Sequence, residues 1–347
     1  MTLARLEHLS EGVPSSIAWS LASVAEAKGR QDLYTRQSPQ RLKVLREHAI
    51  IESAVSSNRM EGVQVEPGRV RTVVFGHSLL RDRDEEEVRG YQEALALIHA
   101  RDATRSITEE EVLRLHRLCR GGIGDAGAYK ERDGDIIETH ANGRVSTRFT
   151  PVSAADTPAA MRSLLDLWDR CAREAWVHPL VALTVFNLDF LCIHPFRDGN
   201  GRVSRLLLLL QLYQAGYEVG RYISLERLIE QNKERYYETL KLSSEGWHEG
   251  HNDPWPYTGY LQFILKEAFG EMEDRLGRVA EPRGAKAARV REAVLSQSTE
   301  FRLADLERSC PGVGRDWIRA VLFQVRREGK VVCQGKGKAA TWRLTGK

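Results

Sequence analysis

Apolar residues recur at helical spacing over most of this 347-residue chain. From Gln40 to Glu61 there is no Gly or Pro. Leu42, Leu45 and Ala49 mark one face, Val44, Ile51 and Val55 extend it, and Gly62 is placed as a C-cap. A second helix is predicted over Asp84–Ala100, with Val88, Tyr91, Leu95 and Ile98 on one side. Thr108 and Glu111 have capping-box spacing and predict a helix start. Over 121–150 the pattern breaks at repeated glycines. Two β-like pieces, Asp135–Thr139 and Val145–Thr150, flank Asn142-Gly143, a hairpin signal.

Helical patterning returns over 157–240. Thr157-Pro158 reads as N-cap and N1. His178–Ile193 is apolar on all sides, and a second apolar helix is predicted from Arg202 to Ala215. Glu271–Ala285 is polar, with Pro282 and Gly284, and reads as a linker. Beyond it, helices over Lys286–Ser296, Leu303–Ser309 and Gly314–Glu328 precede short strands at Val331–Cys333 and Thr341–Leu344. This is the order of a winged helix-turn-helix. The expected division is a helical region 1–110, a central domain 111–270, a linker 271–285 and a small domain 286–347.

Composition adds two points. Residues 283–347 hold 15 Lys/Arg and 6 Asp/Glu, a net of +9, although the whole chain carries only +3. The basic end suggests a polyanionic partner, DNA, through Arg315, Arg319, Arg326 and Arg327 on the third helix and Lys336 and Lys338 at the strand tip. Trp317 and Trp342 are expected in the core there. Five scattered cysteines with no CxxC spacing exclude a zinc-finger pattern and fit a reducing cytoplasm. No signal-peptide core is seen, and Asn187 and Asp189 interrupt the most apolar stretch, Leu180–Ile193, so no membrane span is expected.

The chemistry concentrates in His194-Pro-Phe-Arg-Asp-Gly-Asn-Gly-Arg202-Val-Ser-Arg205. Gly199, Asn200 and Gly201 lead into a helix, and backbone N–H groups converging at a helix N-terminus suit a diphosphate. Arg202 and Arg205, three apart, are expected to face the same anion. Asp198 is a candidate Mg²⁺ ligand, since that ion takes one or two carboxylates plus phosphate oxygens. His194 is the natural general base for a hydroxyl nucleophile. Phe196 is expected to anchor the loop. The pattern is neither a Walker A loop nor GxGxxG.

This run resembles the signature of the Fic family, HxFx[DE]GNGRxxR, with every specified position filled. The resemblance spans roughly 40–265. It implies a mainly α fold, a helical core with a β-hairpin flap over 135–150, here followed by the winged helix. It further implies ATP and Mg²⁺ as co-substrate and cofactor, and AMP transfer to Ser, Thr or Tyr hydroxyls of target proteins, the chain itself included. His194 would take the proton, Asp198 the Mg²⁺, and Gly199, Asn200, Gly201, Arg202 and Arg205 the phosphates. Tyr236 and Tyr237 resemble the paired tyrosines that wall the adenine, and Ser244 falls where an asparagine often stands. Tyr129-Lys130 stands where the family commonly has an arginine. Ser57-x-x-x-Glu61-Gly62 resembles the inhibitory motif [ST]xxxE[GN], in which the glutamate pairs with the second arginine, here Arg205. Rival readings are an AMP-removing hydrolase using Glu61 and a DNA-binding regulator that senses a ligand. A second copy of the chain is a further candidate partner.

Overall fold

The computed structural model describes all residues except 9–11, 36–38, 77–78, 102–104, 123, 140–142, 277–284, 298–299, 311–312, 336–339 and 346–347. The chain divides into two compact units, Met1–Gly277 and Arg278–Lys347.

The first unit is built around two helices that have almost no polar face. Its elements are α1 (Thr2–Arg5), α2 (Ser15–Thr35), α3 (Pro39–Arg59), α4 (Val70–Phe75), α5 (Arg83–Ala100) and α6 (Glu109–Arg120), then strands β1 (Ile136–Thr139) and β2 (Val145–Phe149). There follow α7 (Thr157–Glu174), α8 (Pro179–Ile193), α9 (Asn200–Gln214), α10 (Leu225–Gln231), α11 (Lys233–Ser244) and α12 (Trp255–Leu276). Residues 180–193 of α8 are all buried, as is α9 from Arg202 to Tyr213. A helix apolar all round has to be enclosed by others. Accordingly α8 packs on α1, α7, α9 and α12, while α5 and α6 cover α9 and α3 packs on α5, α9 and α10. The covering helices show the one-sided pattern their position requires; α7 buries Met161, Leu164, Leu165, Trp168 and Cys171.

The α5–α6 contact is unusually close. A Cβ at Gly90 would lie 1.8 Å from the Leu118 carbonyl oxygen, so only glycine fits there. The β1–β2 hairpin is antiparallel, pairing Ile136 with Phe149 and Thr139 with Val145, with an irregularity between Ile136 and Ile137. Ile137 and Val145 are exposed. The hairpin is tied to α11 by Arg148 Nη2 on the Tyr237 carbonyl (3.1 Å) and by Lys241–Glu138 (3.1 Å).

The second unit holds α13 (Ala285–Leu295), α14 (Leu303–Ser309), α15 (Arg315–Arg327) and a hairpin of β3 (Val331–Gln334) and β4 (Thr341–Leu344). Val290, Val294, Phe301, Leu306, Ile318, Leu322, Val325 and Trp342 form its core. Phe301 exchanges backbone hydrogen bonds with Trp342.

Several expectations need correction. The polar stretch from Glu271 is helical as far as Leu276. Met272 and Leu276 are buried, and Glu271 pairs with Arg227 and Arg275, so paired charges rather than linker composition govern it. Residues Pro282 and Gly284 of the expected linker, Asn142 of the hairpin turn, and Lys336 and Lys338 of the strand tip lie outside the described residues. Thr157 is the first helical residue rather than the N-cap. Its hydroxyl donates to the Ser153 carbonyl, while Ser153 Oγ takes the Asp156 N–H. Val44 is 47% exposed, off the buried stripe. Trp317 is 52% exposed because Ile318, Val321, Leu322 and Val325 fill the inner face of α15; Trp342 is in the core as expected. All five cysteines are free. Among the described residues no helix is long and apolar enough to cross a membrane.

Gly90→Ala is expected to destabilise the first unit by about 1–3 kcal/mol through overpacking. Gly270→Ala, helical with nothing near a new Cβ, is expected to gain roughly 0.5–1 kcal/mol. Urea unfolding of the two variants checks the contrast.

Candidate active site

The loop between α8 and α9 takes its shape from its own side chains. His194 ends α8 in the left-handed region (φ 51°, ψ 62°), its N–H still bonded to the Phe190 carbonyl at 2.9 Å. A non-glycine residue held there costs of order 1 kcal/mol or more and persists only where its surroundings enforce it. Gly199 (φ 83°) caps α9, which begins at Asn200, two residues earlier than the apolar pattern suggests. The Asn200 side chain closes the loop on itself, accepting from Phe196 N (2.9 Å) and donating to Phe196 O (2.7 Å). Phe196 is 1% exposed and stacks on His116, with ring centroids 3.8 Å apart.

Helix α6 grips the loop from below. Gly127 N–H donates to His116 Nδ1 (2.9 Å), so Nδ1 is an acceptor and Nε2 carries the proton it gives to the Asp198 carbonyl (3.1 Å). Burial lowers the His116 pKa to about 4, which keeps this tautomer neutral. One turn on, Arg120 binds the Asp198 carboxylate. Beneath both lies Glu87, 1% exposed. It accepts from Arg83 (2.8 Å) and from Arg202, with Arg120 at 3.6 Å. These groups were not singled out from sequence, although a signal was present: His116 and Arg120 continue the buried stripe Val112, Leu115 and Cys119, where a polar residue needs a reason.

The two arginines of the motif do not face one anion as expected. Arg202 is fully buried, on Glu87, Asn58 Oδ1 (3.2 Å) and the Cys119 carbonyl (3.1 Å). The opposite charge of Glu87 draws it away from the cavity. Arg205 donates to Ser57 Oγ (2.8 Å), the Ser57 carbonyl (2.9 Å) and Glu61 Oε1 (2.7 Å). Consecutive residues at the end of α3, Ser57 and Asn58, thus each take one arginine of α9.

A cavity of about 220 Å³ opens above Arg205. Of the residues expected to act on a nucleotide, His194, Gly201, Arg205, Tyr237 and Glu61 line it, together with Tyr236 and Ser244. Gly199, Asn200, Arg202 and Asp198 do not; they build the loop behind it. Arg148 and Phe149 of β2 also line it, and sequence reasoning did not find them. A Cβ at Gly201 would lie 2.2 Å from Glu61 Oε1, so the Glu61 carboxylate rests on the first turn of α9, where an anion was expected. The His194 ring contacts the Leu191 carbonyl through Nδ1 (3.4 Å), and burial lowers its pKa to about 4. A neutral imidazole with Nδ1–H on Leu191 leaves Nε2 as a free lone pair.

Residues 106–212 match the model of the Fic/DOC family. This stretch is similar to a Fic domain. Over 191 residues, 52% of this chain, the sequence is 28% identical to the protein adenylyltransferase Fic of Drosophila willistoni, covering 35% of that protein. The chain spans about a third of the length of that curated relative. A Fic family protein from Desulfovibrio desulfuricans superposes over 97% of this chain and 98% of its own with a TM-score of 0.62 at 24% identity. A Fic domain containing signaling protein from Bacteroides thetaiotaomicron superposes over 76% of this chain and 98% of its own with a TM-score of 0.60 at 24% identity. Both likenesses speak for the Fic fold.

Metal capacity around this loop is narrow. The described residues contain no group of three or more His, Cys, Asp or Glu placed to hold an ion. Asp198 offers one hard carboxylate, its side chain 47% exposed. That fits Mg²⁺ arriving with a polyphosphate, which brings the remaining oxygens, and does not fit a free ion.

Glu87→Gln removes the anion shared by three guanidinium groups. It is expected to cost about 3–5 kcal/mol, as for breaking a buried ion pair. The exposed Glu93→Gln is expected to stay within about 0.5 kcal/mol. Urea unfolding distinguishes them.

Proposed function

We propose that this chain is a protein adenylyltransferase, moving AMP from Mg-ATP to Ser, Thr or Tyr hydroxyls, and that Glu61 restrains it. The observation that carries the reading is His194, a neutral base on the wall of the cavity whose anion side is formed by Arg205 and the start of α9. The Drosophila relative named a protein adenylyltransferase supports the same chemistry. In this reading His194 Nε2 takes the proton of the target hydroxyl. The hydroxyl oxygen then bonds to the α-phosphorus, the bond from that phosphorus to the bridging oxygen breaks, and diphosphate leaves with the electron pair. Catalysis of this kind is mainly positioning and charge stabilisation. Tyr236 and Tyr237 would bound the base of the nucleotide, and Arg205 its terminal phosphates. Gly199, Asn200 and Arg202 would hold the loop from behind. Asp198 would hold Mg²⁺, which when bound offsets phosphate charge; Arg120 has to yield the carboxylate first.

The restraint follows from position. Glu61 occupies the anion site and neutralises Arg205. An Arg–carboxylate bond of about 1.5–3 kcal/mol corresponds to about ten- to hundredfold repression. We further propose that the second unit is a winged helix that binds DNA. Its three helices and hairpin run in that order, and the outward side of α15 carries Arg315, Arg319, Arg326 and Arg327, all exposed.

With α-labelled ATP and Mg²⁺, Glu61→Gly is expected to label itself or added proteins about 10- to 100-fold faster than wild type. The Glu61→Gly/His194→Ala double variant is expected to show none. Because His194 is deprotonated above a pKa of about 4, the Glu61→Gly rate should stay level from about pH 8 to about pH 5 and fall only below that. Label persisting without His194 defeats the assigned mechanism. In gel shifts, binding to duplex DNA should weaken steeply with salt and be lost in Arg319→Ala/Arg327→Ala; binding unaffected by either change removes the DNA reading.

A further inference from the structure

Three consecutive carbonyl oxygens at the exit of α8 converge on one residue outside the motif. Lys130 Nζ donates to the carbonyls of Ile193 (3.1 Å) and His194 (3.0 Å), and its backbone N–H donates to that of Pro195 (2.9 Å). The last carbonyls of a helix have no intrahelical partners and form its negative end, so a cation is favoured there. Lys130 is only 9% exposed, and among the described residues no carboxylate forms an ion pair with it. Two backbone carbonyls are its hydrogen-bond acceptors, and one of them belongs to His194 itself.

His194 and Ala175 are the two non-glycine residues with positive φ among those described. At His194 the ring departs from a backbone that its own side chain disfavours. Holding the carbonyls on both sides of that left-handed turn fixes the peptide planes, and with them the direction of the Cα–Cβ bond. Lys130 also stands six residues before β1, in the segment that leads from α6 into the hairpin.

We propose that Lys130 is a positioning residue for the base. It locks the left-handed backbone of His194 and thereby aims the imidazole into the cavity. The inference rests on the proposed role of His194 as base. It differs from a plain helix cap in what it controls. A cap sets stability alone, whereas an aiming device sets the rate of proton removal and leaves nucleotide binding to Arg205 and the tyrosines.

The test compares Lys130→Met, Lys130→Gln and Lys130→Arg in the Glu61→Gly protein, by transfer kinetics and by NMR of ¹³C-histidine-labelled chain. The His194 signal is assigned from its absence in His194→Ala. Lys130→Met is expected to lower kcat by about 10- to 100-fold, as small misplacements of a catalytic group do, with KM for ATP changed less than about threefold. Lys130→Arg, which keeps the charge and donors, is expected to recover most of kcat. The His194 Cα resonance should leave its left-handed position in Lys130→Met. Unchanged kcat, or a KM that worsens as much as kcat falls, overturns the proposal. If Lys130→Met does not fold, Lys130→Gln carries the same expectations. If the Glu61→Gly parent transfers no AMP, the functional reading fails, and the His194 Cα resonance alone decides Lys130: an unmoved signal overturns it.

Discussion

The buried carboxylate of Glu87 is the contact on which the rest of the site depends. It is reached by guanidinium groups from α5, α6 and α9, two of them almost fully buried themselves. None of these charges is stable there alone, since an unpaired buried ion costs several kcal/mol. Together they fix the start of α9 relative to α6, and through Arg120 and His116 they fix the loop that ends in Asp198. The motif is therefore a loop held from behind between two apolar helices. Asn200 and Phe196 pin its middle, and Lys130 pins its entrance.

The end of α3 belongs to the same construction. Ser57 and Asn58 are adjacent, yet they serve the two different arginines of α9. Farther up the helix, Ser53 donates to the buried Glu226, which also accepts from Tyr91. Glu61 comes after these anchors, just past the last helical residue, and is less buried than Ser57, the other residue bonded to Arg205. Its carboxylate can leave Arg205 without disturbing Ser53, Ser57 or Asn58. A restraint that yields while its support stays in place is what a reversible brake requires.

Much of this was legible in the sequence because it is local. Helical periods, the Thr108 cap, the hairpin and the twelve-residue motif are set by neighbours a few positions apart. Residues 57–61 were legible only beside a complete motif. What escaped was set by distant charge. Nothing near Arg202 says that Glu87, 115 residues away, will turn it from the cavity. Composition at Glu271 suggested a linker because the arginines that pair with it are spread over α10 and α12. Trp317 was expected in the core, but four aliphatic residues of α15 already fill the inner face. His116 and Arg120 were visible as polar residues on an apolar stripe, and Lys130 as a residue standing where the family commonly has an arginine; their meaning depended on a loop about 65–80 residues later.

The proposed restraint by Glu61 also fits the need to keep Arg205 in place when no nucleotide is present. Arg205 is 3% exposed, and Ser57 supplies only neutral acceptors. Without an anion, the guanidinium would be a buried charge lacking a counter-ion, a state that costs roughly 3–5 kcal/mol when created by deleting a partner. Some anion has to occupy the first turn of α9 at all times. In the proposed reading a phosphate does so during turnover, and Glu61 does so otherwise. One carboxylate then serves as both the stabiliser of the resting site and its inhibitor, and the two effects cannot be separated by mutation of Glu61 alone. A variant that lacks it exchanges part of the folding free energy for access, as strained or vacant catalytic sites generally do.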